Sequence, residues 1–366
     1  MIVSNGKKIS NIYSLGKEIS RVYSLGQLVW EKVKDYSETP FTVKAVEDGV
    51  KVRPIKMRFG TDDRAHEEIS TYKYSKNGGD WVEKTSEYSI KLNKNETLSI
   101  IAVDFDKVNI VNGLADIYGN IMSLLYGDNF VGQNVWVKRT YETGDSFFGK
   151  CDIRNAKDLI LPATTLSKNA YEAMFRDCIS LISAPELPAT ELTQACYNVM
   201  FENCVSLKKA PKLPATTLKD SCYQGMFNLC SSLIIAPELP ATELDDYCYN
   251  GMFRGCISLT TAPELPATSL HIYCYGGMFE NCTSLTTAPE LPATILAQGC
   301  YNGMFSGCSS LSYIKCLATR GSVSGSTINW VKGVATNGTF VKSKDVTWET
   351  GYNGIPSTWT IEYITD

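Results

Sequence analysis

One sequence unit is repeated six times without insertions between residues 161 and 316. Leu-Pro-Ala-Thr opens every copy, and a tyrosine, a Met-Phe pair and a Ser-Leu pair recur at fixed offsets behind it. The copies begin at Leu161, Leu187, Leu213, Leu239, Leu265 and Leu291, which gives a period of 26 residues. A fixed period of this length indicates that each copy contacts mainly its neighbours in a stack.

The pattern within one copy predicts a short helix followed by an extended segment. Tyr197, Met200, Phe201 and Cys204 occupy positions i, i+3, i+4 and i+7, which share one face of a helix. The two prolines of Ala-Pro-Lys-Leu-Pro follow, and they exclude a helix because proline lacks the backbone donor. A short strand and a short helix per copy is the formula of the leucine-rich repeat. We therefore predict a leucine-rich-repeat solenoid of six 26-residue coils over residues 161–316.

Eleven of the thirteen cysteines follow the same period and form two columns. The first column is Cys178, Cys204, Cys230, Cys256, Cys282 and Cys308, and the second is Cys196, Cys222, Cys248, Cys274 and Cys300, with Ala170 in the first copy. Metal ligands converge on a point, whereas equivalent positions of a stack lie along a line. We interpret the columns as inert buried thiols; metal ligands, a redox relay and disulfides between neighbouring coils are the alternatives.

Two predicted domains precede the repeats. Residues 1–34 contain ten-residue units that begin at Gly6, Gly16 and Gly26, and they predict short strands separated by turns. This segment is too short to bury a core, so we expect it to serve in attachment or oligomerisation, or to fold back on the next domain. Residues 36–112 alternate apolar and polar side chains between turn signals, and they predict a β-sandwich.

Two further segments are predicted to close the ends of the solenoid, because an open end coil would expose its core. Residues 113–160, with the apolar stretch at 115–130, are the predicted N-terminal cap. Residues 317–366, with Trp330, Phe340, Trp348 and Trp359, are the predicted β-rich C-terminal cap. The predicted fold class is thus a multidomain chain of N-terminal β elements, a β-sandwich, a leucine-rich-repeat solenoid and a β cap.

Composition argues against several classes of function. The formal net charge is −4 and charged residues make up 20%, which offers no basic face for nucleic acid. No run of eighteen apolar residues is present, so we expect no membrane insertion. The two histidines, His66 and His271, lie in different predicted domains, which disfavours a metal centre or a catalytic triad. We expect a protein that is not an enzyme and has no cofactor or metal; glycan cleavage by paired carboxylates is the one enzymatic class left open.

Positions that differ between copies are the candidate contacts, because the scaffold does not fix them. They are the pair after each Ser-Leu and the glutamate after the first proline of most copies. The predicted ligand-binding residues are Lys208, Lys209, Ile234, Ile235, Thr260, Thr261, Thr286, Thr287, Tyr313, Glu238, Glu264 and Glu290. The alternative is that these are solvated positions under little constraint. An outward-facing Ile234–Ile235 pair would be the most informative, because an exposed apolar patch usually marks a contact.

The repeat resembles a known group of proteins. Leu-Pro-Ala-Thr, Cys-Tyr-x-x-Met-Phe-x-x-Cys and Ser-Leu-x-x-Ala-Pro-Glu together resemble the leucine-rich-repeat surface proteins of gut Bacteroidales and of their phages, including crAss-like phages. The stretch YGNIMSLLYGDNF and the tail WVKGVATNGTF resemble segments that flank such repeats, and EISRVYSLGQLVWEK is similar to N-terminal segments of phage structural proteins. The resemblance implies recognition of a cell-surface glycan or protein.

Two settings fit this resemblance. An exported adhesin needs a signal peptide or lipobox, which Met1–Ser10 does not offer, whereas virion proteins assemble in the host cytoplasm. We therefore expect a phage fibre or decoration protein, on the head or the tail, localised to the virion. Its N-terminal segment would bind other virion proteins, and its subunits would form a homo-oligomer, with a trimer as one arrangement. The alternatives are an exported Bacteroidales adhesin at the bacterial surface and a purely structural virion component.

Overall fold

The computed structural model describes residues 35–59, 65–103, 105–136, 146–319 and 325–364, together with six short strands before residue 32. These strands are β1 (Val3–Ser4), β2 (Lys7–Lys8), β3 (Ile12–Ser14), β4 (Lys17–Ile19), β5 (Arg21–Ser24) and β6 (Gln27–Glu31). They form three antiparallel pairs, β1 with β2, β3 with β4 and β5 with β6. The turns predicted at Gly6, Gly16 and Gly26 lie outside the described residues.

The next segment forms two sheets around a shared core. Its strands are β7 (Thr42–Ala45), β8 (Val50–Phe59), β9 (Ala65–Glu68), β10 (Thr71–Lys76), β11 (Val82–Thr85), β12 (Ile90–Leu92), β13 (Thr97–Ile101) and β14 (Lys107–Val111). One sheet has the order β12-β8-β14, with β9 also paired to β8, and the other begins β11-β10-β13-β7. Alternate side chains point into the core, for example Leu98 and Ile100 of β13, and Val108 and Ile110 of β14.

The second sheet continues into the segment that precedes the repeats. Its last strands are β15 (Ala115–Asn120), antiparallel to β7, and β17 (Ile153–Ile160), parallel to β15. The connection between them contains the helix α1 (Ser123–Tyr126), a 3₁₀ turn (Gly127–Asn129) and β16 (Val135–Trp136), which pairs with β18 (Thr165–Leu166). Within the described residues, no helix has the length and apolar character needed to cross a membrane.

Each repeat contains a run of tight turns where the sequence predicts a helix. In the second repeat the N–H of Met200 donates to the carbonyl oxygen of Tyr197, three residues earlier, at 3.2 Å. The N–H of the next residue, Phe201, donates to the carbonyl oxygen of Met226 in the following repeat, at 2.9 Å. Because alternate N–H groups bond within the repeat and to its neighbour, the i to i−4 ladder of a helix does not form.

In the second to sixth repeats, three residues per repeat hold a left-handed backbone, at a spacing of four residues. In the second repeat they are Ala195, Val199 and Asn203, with φ of 54°, 46° and 58°. In the sixth repeat all three are glycines, at 299, 303 and 307. An α-helix requires φ near −60° at every residue, so these positions are incompatible with it.

The turns bring the repeated side chains into buried columns. The phenylalanine rings stack from Phe175 to Phe305, with centroids 5.5–5.8 Å apart between neighbouring repeats. The tyrosine rings stack in the same way from Tyr171 to Tyr301, at 5.7–6.2 Å. These side chains are at most 1% exposed. The stacking therefore removes the surfaces of these aromatic rings from water.

The predicted leucine-rich-repeat solenoid, with a strand and a helix in each coil, is wrong. Residues 161–316 contain no helix, and their only strands are β18 at the start and β19 at the end. Elsewhere in these repeats, isolated bridges are the only β pairing. The inward positions i, i+3, i+4 and i+7 suit the turn run as well as a helix, which is why periodicity alone did not separate the two. The molecule is instead a nearly all-β chain of several sheets joined to turn-rich repeats.

The end of the last repeat and the residues after it form a small parallel sheet. Its strands are β19 (Tyr313–Lys315), β20 (Thr339–Lys342) and β21 (Thr360–Tyr363), in that order. Trp330 stacks on Tyr301 with centroids 6.1 Å apart, and Trp348 stacks on Trp330 at 5.5 Å. These rings continue the tyrosine column beyond the last repeat and cover its end.

Candidate ligand-binding groove

An open groove of about 870 Å³ lies between the third and fourth repeats. Each repeat contributes the variable pair after Ser-Leu and the proline-containing segment that follows it. The lining residues are Ile234, Ile235, Ala236, Pro237, Glu238, Leu239 and Pro240 on one wall and Thr260, Thr261, Ala262, Pro263, Glu264 and Pro266 on the other. A volume of this size is in the range of small-molecule and peptide pockets.

The backbones of the two repeats at the groove do not pair at this level, and neither do those of the fourth and fifth repeats at the equivalent positions. Parallel bridges occur at the preceding junction, between Lys209 and Ile235, and between the fifth and sixth repeats, where Thr287 pairs with Tyr313. Both segments at the groove are fully described, and no backbone hydrogen bond joins residues 234–240 to residues 260–266. The two walls are therefore held apart, each anchored by its own repeat.

Local sequence positions the walls. Leu233 and Leu259, which precede the variable pairs, are completely buried and fix each wall to the core. The prolines that follow restrict φ and keep the segments extended. In the third repeat this arrangement leaves Ile234 51% and Ile235 55% exposed, so both isoleucines face solvent. In the fourth repeat the exposed pair is Thr260 and Thr261.

The charge of the groove is negative. Glu238 and Glu264 are exposed, and they are the only charged residues of the lining. Within the described part of the chain neither of them has an ion-pair partner. Glu290, the equivalent residue one repeat further on, differs because it accepts a hydrogen bond from Nζ of Lys315 at 2.8 Å.

The groove brings together half of the residues predicted to bind a ligand. These are Ile234, Ile235, Glu238, Thr260, Thr261 and Glu264. The other six lie outside it on the second, fifth and sixth repeats: Lys208, Lys209, Thr286, Thr287, Tyr313 and Glu290. Lys208 borders the third repeat, since its carbonyl oxygen accepts the N–H of Ile234 at 3.0 Å. The predicted residues therefore do not form one continuous site.

Sequence reasoning missed the proline and alanine part of the lining. Pro237, Pro240, Pro263 and Pro266 contribute rigid apolar surface to the groove. Prolines recur at these two positions after each of the first five Ser-Leu pairs, so a search for variable positions passed over them. Together the lining offers apolar contact, threonine hydroxyls and two carboxylates, and it contains no histidine, cysteine, lysine or arginine. This chemistry suits binding rather than nucleophilic catalysis.

A second cluster of polar side chains lies on the fourth and fifth repeats. Ligand-type atoms of Asp245, Asp246 and His271 all lie within 4.8 Å of one another. Oδ1 of Asp246 is 3.7 Å from Nδ1 of His271 and also accepts the N–H of Ile272 at 3.0 Å. The adjacent Tyr247 and Tyr273 rings stack with centroids 5.3 Å apart. Composition did not predict this cluster, because Asp246 and His271 are separated by almost one repeat.

The cysteines are free and buried, which confirms the prediction of buried thiols. Burial raises the pKa of Cys196 and Cys230 to about 12, and it also raises the pKa of the other column cysteines. A thiol with a raised pKa carries little thiolate near neutral pH and is a poor nucleophile. The first column has a further role that the sequence did not reveal, because each of its sulfur atoms donates a hydrogen bond to a backbone carbonyl oxygen.

Comparison with models of known protein families, with curated proteins and with solved structures gave no match to this chain.

Proposed function

We propose that this chain is a non-enzymatic recognition protein that binds a host-surface glycan or protein in the groove between its third and fourth repeats. The exposed Ile234–Ile235 pair is the observation that carries the proposal. Two adjacent isoleucines at the mouth of a concave surface lose contact with water only when a partner covers them. Their equivalents in the fourth repeat are threonines, so the scaffold itself does not require isoleucine here.

The rest of the lining supports binding of a specific partner. Apolar contact at Ile234 and Ile235 would supply affinity, while Thr260, Thr261 and the two glutamates would orient polar groups of the ligand. The repeats are held together by buried aromatic columns, so the walls are attached to a rigid framework. A preformed groove of this kind binds without a large ordering cost.

We place the protein on a phage virion, as a fibre or decoration protein, on the basis of the resemblance of its repeats and N-terminal segment to proteins of Bacteroidales phages. In this proposal the N-terminal strands attach the chain to other virion proteins, and the groove faces the host.

Binding to cells tests the recognition part of the proposal. Fluorescently labelled full-length chain is incubated with a panel of gut Bacteroidales strains, and bound fluorescence is measured by flow cytometry. We expect saturable binding to a subset of strains, competed by unlabelled chain. Absence of saturable binding to every strain, including hosts of phages that carry the protein, would contradict host recognition.

Localisation tests the virion part separately. Mass spectrometry of purified phage particles and of bacterial outer membranes should find the chain in the particles. Detection only in the membrane fraction of uninfected cells would instead identify a bacterial adhesin, with the recognition proposal unchanged.

A further inference from the structure

Backbone groups on both walls of the groove lack the partners that the equivalent groups have between the second and third repeats and between the fifth and sixth repeats. Where the second and third repeats pair, the N–H of Ile234 donates to the carbonyl oxygen of Lys208 at 3.0 Å. In the same bridge, the N–H of Ala210 donates to the carbonyl oxygen of Ile235 at 3.2 Å. One repeat further along the chain, the equivalent bonds would run from the N–H of Thr260 to the carbonyl oxygen of Ile234 and from the N–H of Ala236 to the carbonyl oxygen of Thr261. Neither bond is present between these described residues.

Four backbone groups therefore face the groove without a backbone partner. They are the N–H groups of Ala236 and Thr260 and the carbonyl oxygens of Ile234 and Thr261. Each wall presents one donor and one acceptor, which flank Ile235 on the first wall and come from adjacent residues on the second; this is the arrangement found in the bridge between Lys209 and Ile235. Backbone groups of this kind are normally paired with protein, ligand or water.

An extended peptide matches this spacing better than a glycan does. A peptide backbone alternates donors and acceptors at the interval of a strand, and addition of such a segment to an unpaired strand is a common mode of peptide recognition. Alternate side chains of an extended peptide point to opposite sides, so one set would contact Ile234 and Ile235. Glycan hydroxyls do not alternate fixed donors and acceptors in this way, because each hydroxyl can donate or accept.

The negative charge of the groove indicates the charge of the peptide that it would bind. Glu238 and Glu264 are the charged residues of the lining, and no basic side chain of the lining neutralises them. A peptide with lysine or arginine would therefore be favoured over an acidic one.

We infer that the groove binds an extended, basic peptide segment of a surface protein, which adds as a strand to the unpaired backbone at Ile234–Ala236 or Thr260–Thr261. This inference rests on the proposed function and names the chemical class of its ligand. It assigns affinity to backbone hydrogen bonds and to the isoleucines, and it assigns selectivity to Glu238 and Glu264.

Three capped, fluorescent heptapeptides test the inference with the full-length chain. The first has the sequence Lys-Val-Thr-Val-Lys-Val-Thr, the second carries glutamate in place of both lysines, and the third is the first peptide with N-methylated valines. We expect the first to bind saturably in fluorescence anisotropy. The second and third should each bind about tenfold more weakly, because they lose two ion pairs or the backbone donors of the strand.

Variants of the chain assign the effect to the groove. Glu238→Gln together with Glu264→Gln should abolish the preference for the basic peptide over the acidic one. Glu186→Gln, at the equivalent exposed position of the first repeat, is the matched control and should leave the preference intact.

Three outcomes would overturn the inference: equal binding of the N-methylated peptide, equal binding of the acidic peptide, or binding of none of the three. Binding of mannan or dextran instead of any peptide would identify the groove as a glycan site. In that case saturable binding to cells would persist, so the proposed function would stand while the peptide inference failed. Loss of cell binding alone would contradict the proposed function.

Discussion

The Sγ atom of Cys230 lies 3.1 Å from the carbonyl oxygen of Phe201, one repeat earlier in the chain, and donates a hydrogen bond to it. The same carbonyl oxygen accepts the N–H of Cys204 from its own repeat at 3.1 Å. An equivalent sulfur contact occurs in each of the six repeats, at 2.9–3.2 Å. The first thiol column thus links each repeat to the preceding one, in addition to filling space.

Removal of one of these sulfur atoms should cost stability. Cys230→Ala leaves the Phe201 carbonyl oxygen with one hydrogen bond fewer and creates a small cavity, so we expect a loss of about 1–2 kcal/mol in the free energy of unfolding. The measurement is urea unfolding followed by tryptophan fluorescence. Cys222→Ala, in the second column, is the matched control, because the first repeat already has Ala170 at that position. Equal losses for the two variants would show that the hydrogen bond contributes nothing.

The raised thiol pKa values predict a loss of stability in alkaline solution. Burial raises the pKa of Cys230, Cys308 and Cys316 from 9.0 to about 12. Below pH 9 these thiols are protonated in both the folded and the unfolded chain, and the stabilisation from burying them as neutral groups is fully present. As the pH rises from 9 towards 12, only the unfolded chain releases the protons, so the stability is progressively lost.

The urea midpoint should therefore fall between pH 8 and pH 10. A variant with alanine at Cys196, Cys274 and Cys300, whose pKa values burial also raises to about 12, should show a smaller fall. A midpoint that does not change over this range, or an equal fall in the variant, would contradict the assignment to the thiols.

The left-handed backbone predicts opposite effects of two substitutions at equivalent positions. Val199 has φ of 46°, where a β-branched side chain is strained, and the fourth repeat has Gly251 there with φ of 62°. A Cβ atom at Gly251 would meet no atom within 4 Å, so the strain of the left-handed backbone is what opposes it. We expect Gly251→Val to destabilise the chain by about 1–2 kcal/mol.

The reverse change, Val199→Gly, should raise the free energy of unfolding by up to about 1 kcal/mol, because relief of strain exceeds the greater flexibility of glycine in the unfolded chain. Thermal unfolding of both variants provides the measurement. A stabilising Gly251→Val would contradict the described turn geometry and favour the helix that periodicity predicts.

The sequence predicted which residues are buried better than it predicted the backbone that buries them. Tyr197, Met200 and Phe201 are core residues in either a helix or a run of turns, because both place positions i, i+3 and i+4 on one face. The signal that separates the two is the glycine or asparagine every four residues, such as Gly299, Gly303 and Gly307. This signal is weak in the second repeat, where Ala195 and Val199 occupy the left-handed positions.

The candidate site was predictable only in part, because variation between copies indicates candidate contact residues but not how the repeats pair. Variation between copies identified Ile234 and Ile235 as candidate contact residues without showing which of them faces outward, and both are exposed. Variation did not indicate that the backbone pairs between Lys209 and Ile235 but not between Ile235 and Thr261, because pairing depends on contacts between whole repeats. The groove is consequently a property of the three-dimensional arrangement, whereas its two isoleucines can be named as candidates from the sequence.

Cell binding by two matched variants tests the central claim most directly. Ile234→Lys places a charge in the groove, and Ile182→Lys makes the same change at the equivalent position of the first repeat, where the side chain is 47% exposed and lies outside the groove. Both full-length variants are first shown to have the urea midpoint of the parent chain, and their binding to a susceptible strain is then measured by flow cytometry. We predict that Ile234→Lys weakens binding at least about tenfold, a typical effect for an apolar contact at the centre of an interface, while Ile182→Lys binds like the parent. Parent-like binding by Ile234→Lys, or equal losses in both variants, would contradict a binding site between the third and fourth repeats.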